Sequence, residues 1–411
     1  MKKFIKMVFV IFFFLTFITL TSEILWLFYL KKELDKGNLG LPKNSYTYKL
    51  AEKNNDYVKS MQSGLKTRML FVYERLLYFF MYLILGCAIL IDFIRLRLFE
   101  LSKKSINLYC KSFNNICKNQ VALSNIFFFM FVVIYLYDYI AKYLFTKNMD
   151  KYVKFLVLLG LYSIVCPLFL IIVYFLLQQF GARLIIAVYI SVFIKNIYEV
   201  FIQDDSNKNS LKPLDVEMFD SSVQNYLDKN NLSNNVYQDT TSKDTNAALV
   251  GLDKSARIEI SGDFNSLDPE EKDSILLHEI GHSEDHSLLK KLLVFFVLIY
   301  LEMLIMLFLY NSVANHLKCE NISQDTSFIL LSIVYFLACS DWLMMFYKLS
   351  SQRAEIAADL LAKNQGFGKE LASTLFNISI NESSVIRPSW LYNSLVAMHP
   401  TIYDRVEYLS K

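Results

Sequence analysis

The chain has 411 residues and a formal net charge of +3, and 54% of its residues are hydrophobic, including 34 Phe and 26 Tyr. Its mean hydropathy is +0.32 and only 20% of its residues are charged, which excludes an ordinary soluble domain of this size. No basic stripe follows the sequence, so nucleic acid is excluded as a partner. The 6 cysteines are scattered without a CxxC pair, which excludes a disulfide framework and a zinc ribbon.

Long apolar segments account for this composition. A helix that crosses a bilayer needs about 20 residues, and several segments of the chain approach or exceed that length. The first begins with lysines, as a signal peptide does, but its apolar run is too long and no small-residue cleavage site follows, so we expect a retained helix. The sequence predicts seven transmembrane helices, at about 4–30, 69–94, 123–146, 154–178, 181–203, 289–312 and 326–347.

These helices divide the chain into four parts. Residues 1–203 contain the first five transmembrane helices with their loops, and residues 289–347 contain the sixth and seventh. Residues 204–288 and 348–411 are polar, and both lie on one side of the membrane because the sixth and seventh helices cross it and return. The Lys and Arg residues of the loops favour the cytosol for that side. We expect the two polar segments to form one small α+β domain.

The first polar segment predicts helices and short strands. Asp215 is expected to cap a helix that runs to about Lys229. Three strand-like pieces follow, NNVYQ, TNAALVG and SARIEI, and the last alternates in the manner of a strand. Asp268 then caps a second helix, which has a proline at its first position and acidic residues in its first turn.

This second helix contains the motif HEIGH. Residues four apart lie on one face of a helix, so His278 and His282 can bind one metal ion. Glu279 is rotated by about 100°, which puts its carboxylate beside the metal, where it can accept a proton from bound water. Catalytic zinc has such ligands, a third protein ligand and an open position for water. His286 is expected at the surface or at the lipid interface, since a continuous helix would separate it from His278 by about 12 Å.

The third ligand is expected after the last transmembrane helix, in the stretch SSQRAEIAADLLAK. Glu355 can bind the metal, and Asp359 can accept an N–H hydrogen bond from a ligand histidine. The alternative is an ordinary amphipathic helix with solvated acids, and spacing alone does not decide between the two. The common membrane side of the polar segments makes the metal site possible.

In their order, these motifs resemble those of the type I CAAX prenyl proteases, which are zinc metalloproteases with seven membrane helices. The matching stretches are PLD, TNAALVG with SARIEI, HEIGH, RAEIAAD and HPTIYDR. The resemblance implies an all-α polytopic membrane protein whose seven helices enclose a chamber, with the zinc site on the cytosolic side. It also implies the endoplasmic reticulum, with the inner nuclear membrane as a second location.

The resemblance assigns roles to individual residues. One Zn²⁺ would be bound by His278, His282 and Glu355, and Glu279 would be the general base. His399 would hold the carbonyl oxygen of the substrate or its oxyanion.

Four further residues receive supporting roles. Arg405 would pair with Asp359 or with the substrate, and Asn246 and Ala247 would lie on an edge strand that pairs with the substrate backbone. The chain departs from the family beside the cleft and not at a ligand or at the base, so hydrolysis is expected to survive; these departures are Ser283, Ala248 and Ile356.

The sequence thus predicts a membrane zinc endopeptidase that removes the C-terminal tripeptide of prenylated CAAX proteins. Its expected partners are prenylated CAAX proteins or peptides and the lipid bilayer. One alternative is a quality-control zinc protease of membrane proteins without a strict prenyl requirement. Another is a non-catalytic scaffold or transporter, against which the intact ligand and base residues argue. The oligomeric state and the choice between farnesyl and geranylgeranyl stay open.

Overall fold

The computed structural model describes residues 2–109, 165, 169–201, 211–239, 246–252, 255–262, 264, 267–317 and 323–411. The predicted transmembrane helix at 123–146 and most of that at 154–178 lie outside the described residues. The chain divides into two units. One consists of Met1–Thr21, Leu70–Ile190 and Ile299–Leu343, and the other of Ser22–Met69, Ser191–Leu298 and Met344–Lys411.

The described residues are mostly helical. In chain order the helices are α1 (Lys2–Asp35), α2 (Tyr46–Lys53), α3 (Tyr57–Leu90), α4 (Asp92–Tyr109), α5 (Phe169–Phe180), α6 (Ala182–Phe201), α7 (Ser221–Lys229), α8 (Pro269–Glu284), α9 (Ser287–Phe308), α10 (Asn315–Leu317), α11 (Gln324–Ala338), α12 (Ser340–Asn364), α13 (Gly368–Asn381), α14 (Trp390–Val396) and α15 (Ile402–Leu409). A π-helical stretch, Leu309–Ala314, continues α9.

Some of these helices suit a membrane protein by length and composition. Lys6–Asp35 and Ser287–Ala314 are long and apolar enough to cross a bilayer. Two bent helix pairs also qualify, Phe169–Phe180 with Ala182–Glu199 at 115° and Gln324–Phe336 with Ser340–Asn364 at 41°. The part of the chain that the structure describes therefore holds 2 candidate spans, or up to 4 if each bent pair counts as one. The predicted helix at 69–94 corresponds to α3 but is not among these candidates.

Apolar side chains hold the first unit together. The rings of Phe13 and Phe79 meet edge to face, with their centroids 5.8 Å apart. Trp342 donates a hydrogen bond from its indole nitrogen to Oγ1 of Thr16 at 3.0 Å. Tyr310 donates to Asp325 at 3.0 Å. These two hydrogen bonds pair polar groups within the apolar unit.

The second unit contains a small mixed sheet. Its strands are β1 (Leu211–Pro213), β2 (Val236–Asp239), β3 (Asn246–Val250) and β4 (Arg257–Ser261), in the order β1-β2-β4-β3. β2 and β4 are parallel, whereas β1 with β2 and β3 with β4 are antiparallel. The three strands predicted from the sequence are confirmed as β2, β3 and β4. β3 lies at an edge of the sheet, so one side of its backbone is open for other partners.

The prediction of one helix from Asp215 to Lys229 is wrong about where that helix begins. Asp215 caps a short 3₁₀ turn, and α7 begins only after Asp220, whose carboxylate accepts a hydrogen bond from the N–H of Ser222. Phe219 lies between the two in an extended conformation and is buried. Burial of this ring against the core therefore separates the two helical pieces.

Helix α8 begins as predicted, with Pro269 at its first position. The N–H of Asp268 donates to the carboxylate of Glu271 at 3.3 Å, as in a capping box. The helix ends at Glu284, and α9 begins three residues later. Between them, His286 adopts a positive φ of 50° and is exposed. The chain therefore turns before it enters the apolar helix α9.

Gly281 permits the closest helix contact near the HEIGH motif. A Cβ atom at this position would lie 2.7 Å from both Cα and the carbonyl oxygen of Ala358 in α12. Backbone atoms cannot move aside as a flexible side chain can, so only glycine fits at this crossing. The glycine of HEIGH thereby brings α8 and α12 close enough for their side chains to share one site.

We expect Gly281→Ala to lower stability by about 1–3 kcal/mol, because an added methyl group overpacks this crossing. The same change should weaken metal binding, since it pushes α12 away from α8. Apparent thermal unfolding midpoints in detergent and metal content would measure the two effects. Ser283→Ala, two residues further along the same helix, is the matched control; equal behaviour of the two variants would contradict the prediction.

Candidate metal centre

Three predicted ligands come together in the second unit. His278 and His282 of α8 and Glu355 of α12 each offer one ligand atom, and these atoms all lie within 4.8 Å of one another. Nε2 of His278 is 3.6 Å from Oε2 of Glu355, and Nε2 of His282 is 3.5 Å from Oε1. Two imidazoles and one carboxylate are a donor set of catalytic zinc sites. The chemistry and spacing of these residues therefore fit a divalent metal.

A buried ion pair supports the first histidine. Oδ1 of Asp359 is 2.9 Å from Nδ1 of His278, which leaves Nε2 directed towards the metal position. Arg405 of α15 donates two hydrogen bonds to Asp359, from Nε at 2.8 Å and from Nη2 at 2.6 Å. Asp359 is completely buried and Arg405 is 4% exposed. A paired guanidinium thus holds the carboxylate that orients the ligand.

These charges shift the pKa values of the cluster. Burial alone would lower the pKa of His278, but hydrogen bonds to Asp359 and Glu355 outweigh it and raise this pKa to about 9. Burial would raise the pKa of Glu355 and of Asp359, yet the neighbouring cations and hydrogen bonds lower both. In the metal-free protein, a proton on His278 therefore takes the place of part of the metal charge.

The second histidine has a different environment. Burial is the main cause that lowers the pKa of His282, to about 3, so its ring is neutral over the physiological range. Its Nδ1 is buried and has no hydrogen-bond partner in the part of the chain that the structure describes. Of the two imidazoles, only that of His278 is oriented by a carboxylate.

Glu279 lies beside the ligand cluster. It is 6% exposed, and burial raises the pKa of its carboxyl group. Its Oε2 accepts a hydrogen bond from the backbone N–H of Leu249 in β3, at 2.8 Å. A raised pKa suits a group that accepts and returns a proton.

A cleft of about 360 Å³ opens over the cluster. Asn246 and Ala247 of the edge strand line it, as does His399. Nδ1 of His399 is 3.1 Å from Oε2 of Glu355, and the imidazole is 65% exposed. Most of the remaining wall is apolar; it includes Leu249, Ile260, Phe264, Ile275, Leu288, Leu371, Leu375 and Ile378. His286 does not line the cleft.

Two features of the cleft were missed in the sequence. Lys291 of α9 lines it with Nζ 3.7 Å from Oε1 of Glu355, and the N–H of Leu249 binds the carboxylate of Glu279. Nothing in the residue pattern identifies either contact. A lysine at the start of a transmembrane helix is ordinarily an interfacial residue, and a backbone N–H carries no sequence signal.

Comparison with known proteins supports this arrangement. Residues 216–411 match Peptidase family M48. The matched part contains every residue for which a site role was predicted, and Peptidase family M48 indicates a metalloprotease.

The whole chain also shares its fold with a solved protein. It superposes on the crystal structure of S. mikatae Ste24p with a TM-score of 0.59 and 16% sequence identity, covering 98% of this chain and 99% of that chain. This likeness shows a common fold, and together with the match to Peptidase family M48 it supports the resemblance seen in the sequence. No curated protein matches the chain.

We expect Asp359→Asn to weaken metal binding by about 10–100-fold, the usual effect of losing a carboxylate behind a ligand histidine. The amide presents only one acceptor to Arg405 and no charge to His278. A competition titration with a chromophoric chelator would measure the affinity. Asp404→Asn in α15 is the matched control, since the Asp404 carboxylate accepts a hydrogen bond from Thr401; an equal loss in both variants would contradict the role of Asp359.

Metal affinity should also depend on pH. Because the pKa of His278 is raised to about 9 in the metal-free protein, its proton must leave before the metal binds. Affinity is therefore expected to rise about tenfold per pH unit between about pH 7 and 8 and to level off above the pKa. The same competition titration, corrected for the chelator's own protonation, would measure this slope. An affinity that is constant across this range would contradict the protonated state.

Proposed function

We propose that the chain is a zinc-dependent membrane endopeptidase that removes the C-terminal tripeptide of prenylated CAAX proteins. The observation that carries the proposal is the convergence of His278, His282 and Glu355 with the Glu279 carboxylate in one cleft beside an open strand edge. The match to Peptidase family M48 and the likeness of fold to Ste24p support proteolysis over other uses of a metal site.

The proposal includes the arrangement in the membrane. Seven transmembrane helices would enclose a chamber, with the candidate metal centre facing the cytosol at the endoplasmic reticulum or the inner nuclear membrane. The apolar helices and the coverage of Ste24p from end to end support a membrane location for the chain. Such a chamber would let a prenyl group stay in an apolar environment while the peptide reaches the cleft.

Each residue then has a defined task. A bound zinc ion supplies Lewis-acid polarisation of the carbonyl and activates water. Glu279 accepts the proton of the attacking water and delivers it to the leaving amine. His399, exposed in the cleft, donates a hydrogen bond to the carbonyl oxygen as negative charge develops on it. Asp359 and Arg405 hold His278 in position through the buried pair.

The shape of the cleft suits the proposed peptide. Ala247 lies on the open edge of β3 and would pair with the substrate backbone, while Asn246 lines the same edge. Leu371, Leu375 and Ile378 follow one face of α13 and form an apolar wall. Aliphatic side chains after the scissile bond would be buried against this wall.

Cleavage of a peptide that ends in the CAAX pattern, with and without farnesyl on its cysteine, would test the proposal. We expect the purified zinc-loaded protein to cut only the farnesylated peptide, after the cysteine. Glu279→Gln should lower the rate by about 10²–10⁴-fold while metal content stays unchanged, since an amide cannot accept the proton. Mass spectrometry of the products would identify the cleaved bond.

The other outcomes separate the rival functions. Equal cleavage of both peptides would favour a quality-control protease without prenyl specificity. Full activity of Glu279→Gln would contradict the assignment of the base. Failure of the zinc-loaded wild type to cut either peptide would contradict the substrate class.

A further inference from the structure

Lys291, a cation that lines the cleft, has no role in the proposed hydrolysis. Lys291 is on the same face of α9 as Ser287 and Leu288, and all three line the cleft. Its Nζ lies 3.7 Å from Oε1 of Glu355, and its side chain is only 20% exposed. Removing an ammonium group from water is costly unless anions stand near it. The position of Lys291 is therefore expected to depend on the anions that its ammonium group meets in the cleft.

Lys291 and His399 approach opposite oxygens of the same carboxylate. His399 and Arg405 lie 3.1 and 3.5 Å from Oε2 of Glu355. His282 and Lys291 lie 3.5 and 3.7 Å from Oε1. His399 is the group proposed to bind the carbonyl oxygen of the scissile bond. Lys291 approaches the other oxygen of Glu355 and extends from α9, so it is a second cleft cation, available to a different part of the substrate.

The charge balance of the centre leaves room for an anion. Three carboxylates, those of Glu279, Glu355 and Asp359, stand against two side-chain cations, Arg405 and Lys291. With a divalent metal bound and His278 neutral, these groups would carry an excess of one positive charge. Arg405 is fixed on Asp359, whereas Lys291 faces the open cleft. Among the described residues that line the cleft, Lys291 is thus the side-chain cation that a substrate anion can reach.

We propose that Lys291 binds the C-terminal carboxylate of the peptide that is cleaved, and so selects substrates that end a few residues after the scissile bond. This inference rests on the proposed function, since the last three aliphatic residues of an uncleaved substrate carry the terminal carboxylate as their one formal charge at neutral pH. Three extended residues span about 10 Å. The flexible stem of a lysine lets its ammonium group turn away from Glu355 to meet the carboxylate.

The surroundings of Lys291 strengthen a charge-assisted contact. Leu288 lies beside it on α9, and Leu375 and Ile378 of α13 line the same cleft. An ion pair next to apolar walls is screened less by water and salt than one at an open surface. We therefore expect a peptide acid to bind about tenfold more tightly than the matching carboxamide.

Binding to an inactive variant tests this without cleavage. The full-length, zinc-loaded Glu279→Gln protein would be titrated with fluorescent peptides that end in cysteine and three aliphatic residues. Each peptide would be made with a free carboxylate and with a carboxamide, both with and without farnesyl. Fluorescence anisotropy gives the ratio of the acid and amide dissociation constants, which is the quantity that the inference predicts.

Three variants in the Glu279→Gln background sharpen the test. Lys291→Met keeps the length of the side chain but removes the charge, and should bring the acid-to-amide ratio close to one while metal content is unchanged. Lys291→Arg should retain most of the preference. Lys290→Met is the matched control, because the neighbouring Lys290 is 59% exposed and pairs with Asp285 at 2.6 Å; its ratio should equal that of the parent.

The outcomes separate this inference from the proposed function. An acid preference that survives Lys291→Met, or a variant that weakens acid and amide equally, would overturn the role of Lys291. Equal binding of acid and amide by the parent would overturn it as well. If the acid preference depends on Lys291 but farnesyl does not change the dissociation constants, the role of Lys291 is supported and prenyl specificity is contradicted. If none of the four peptides binds, both the role of Lys291 and the proposed substrate class would be overturned.

Discussion

The arrangement of the candidate metal ligands depends on the buried pair between Asp359 and Arg405. Both side chains are almost wholly removed from water, and such charges are tolerated only when each finds its full set of partners. Asp359 completes its set with the N–H groups of Arg405 and with the ring of His278. These residues belong to α12, α15 and α8, which are distant in the sequence. The ligand geometry therefore requires all three helices to be in place, so the candidate centre is complete only in the folded domain.

Residue spacing alone predicts much of the local structure. Two histidines four residues apart define one helix face, and the cap at Asp268 and the three strands follow from short-range patterns. Glu355 and Asp359 required the family resemblance, because the sequence distance between α8 and α12 carries no information about their contact. The start of α7 was misplaced because burial of Phe219, a tertiary effect, outweighs the capping signal of Asp215.

The sequence does not predict contacts that the backbone makes or that join helices distant in the chain. The order of the strands, with β3 at the edge, arises from pairing between β2 and β4 and not from any local motif. Lys291 could be assigned only to the end of an apolar helix, although α9 directs it into the cleft. The two ligand histidines also look equivalent in the motif. Only the folded chain distinguishes His278, which a carboxylate orients, from His282, whose Nδ1 is unpaired among the described residues.

The hydrogen bond between Leu249 and Glu279 has a consequence for the resting protein as well. Because the N–H of Leu249 points away from β4, strand alternation directs that of Ala247 to the same open edge. The side-chain oxygen of Asn246 accepts a hydrogen bond from Ala247, at 3.0 Å. Both donors on this edge are thus already occupied, and an unpaired strand edge is the usual template for association between chains. The Glu279 carboxylate therefore also covers an edge donor in the resting protein. A strand from another chain would have to displace existing hydrogen bonds to pair at this edge, and so it would gain little by binding there.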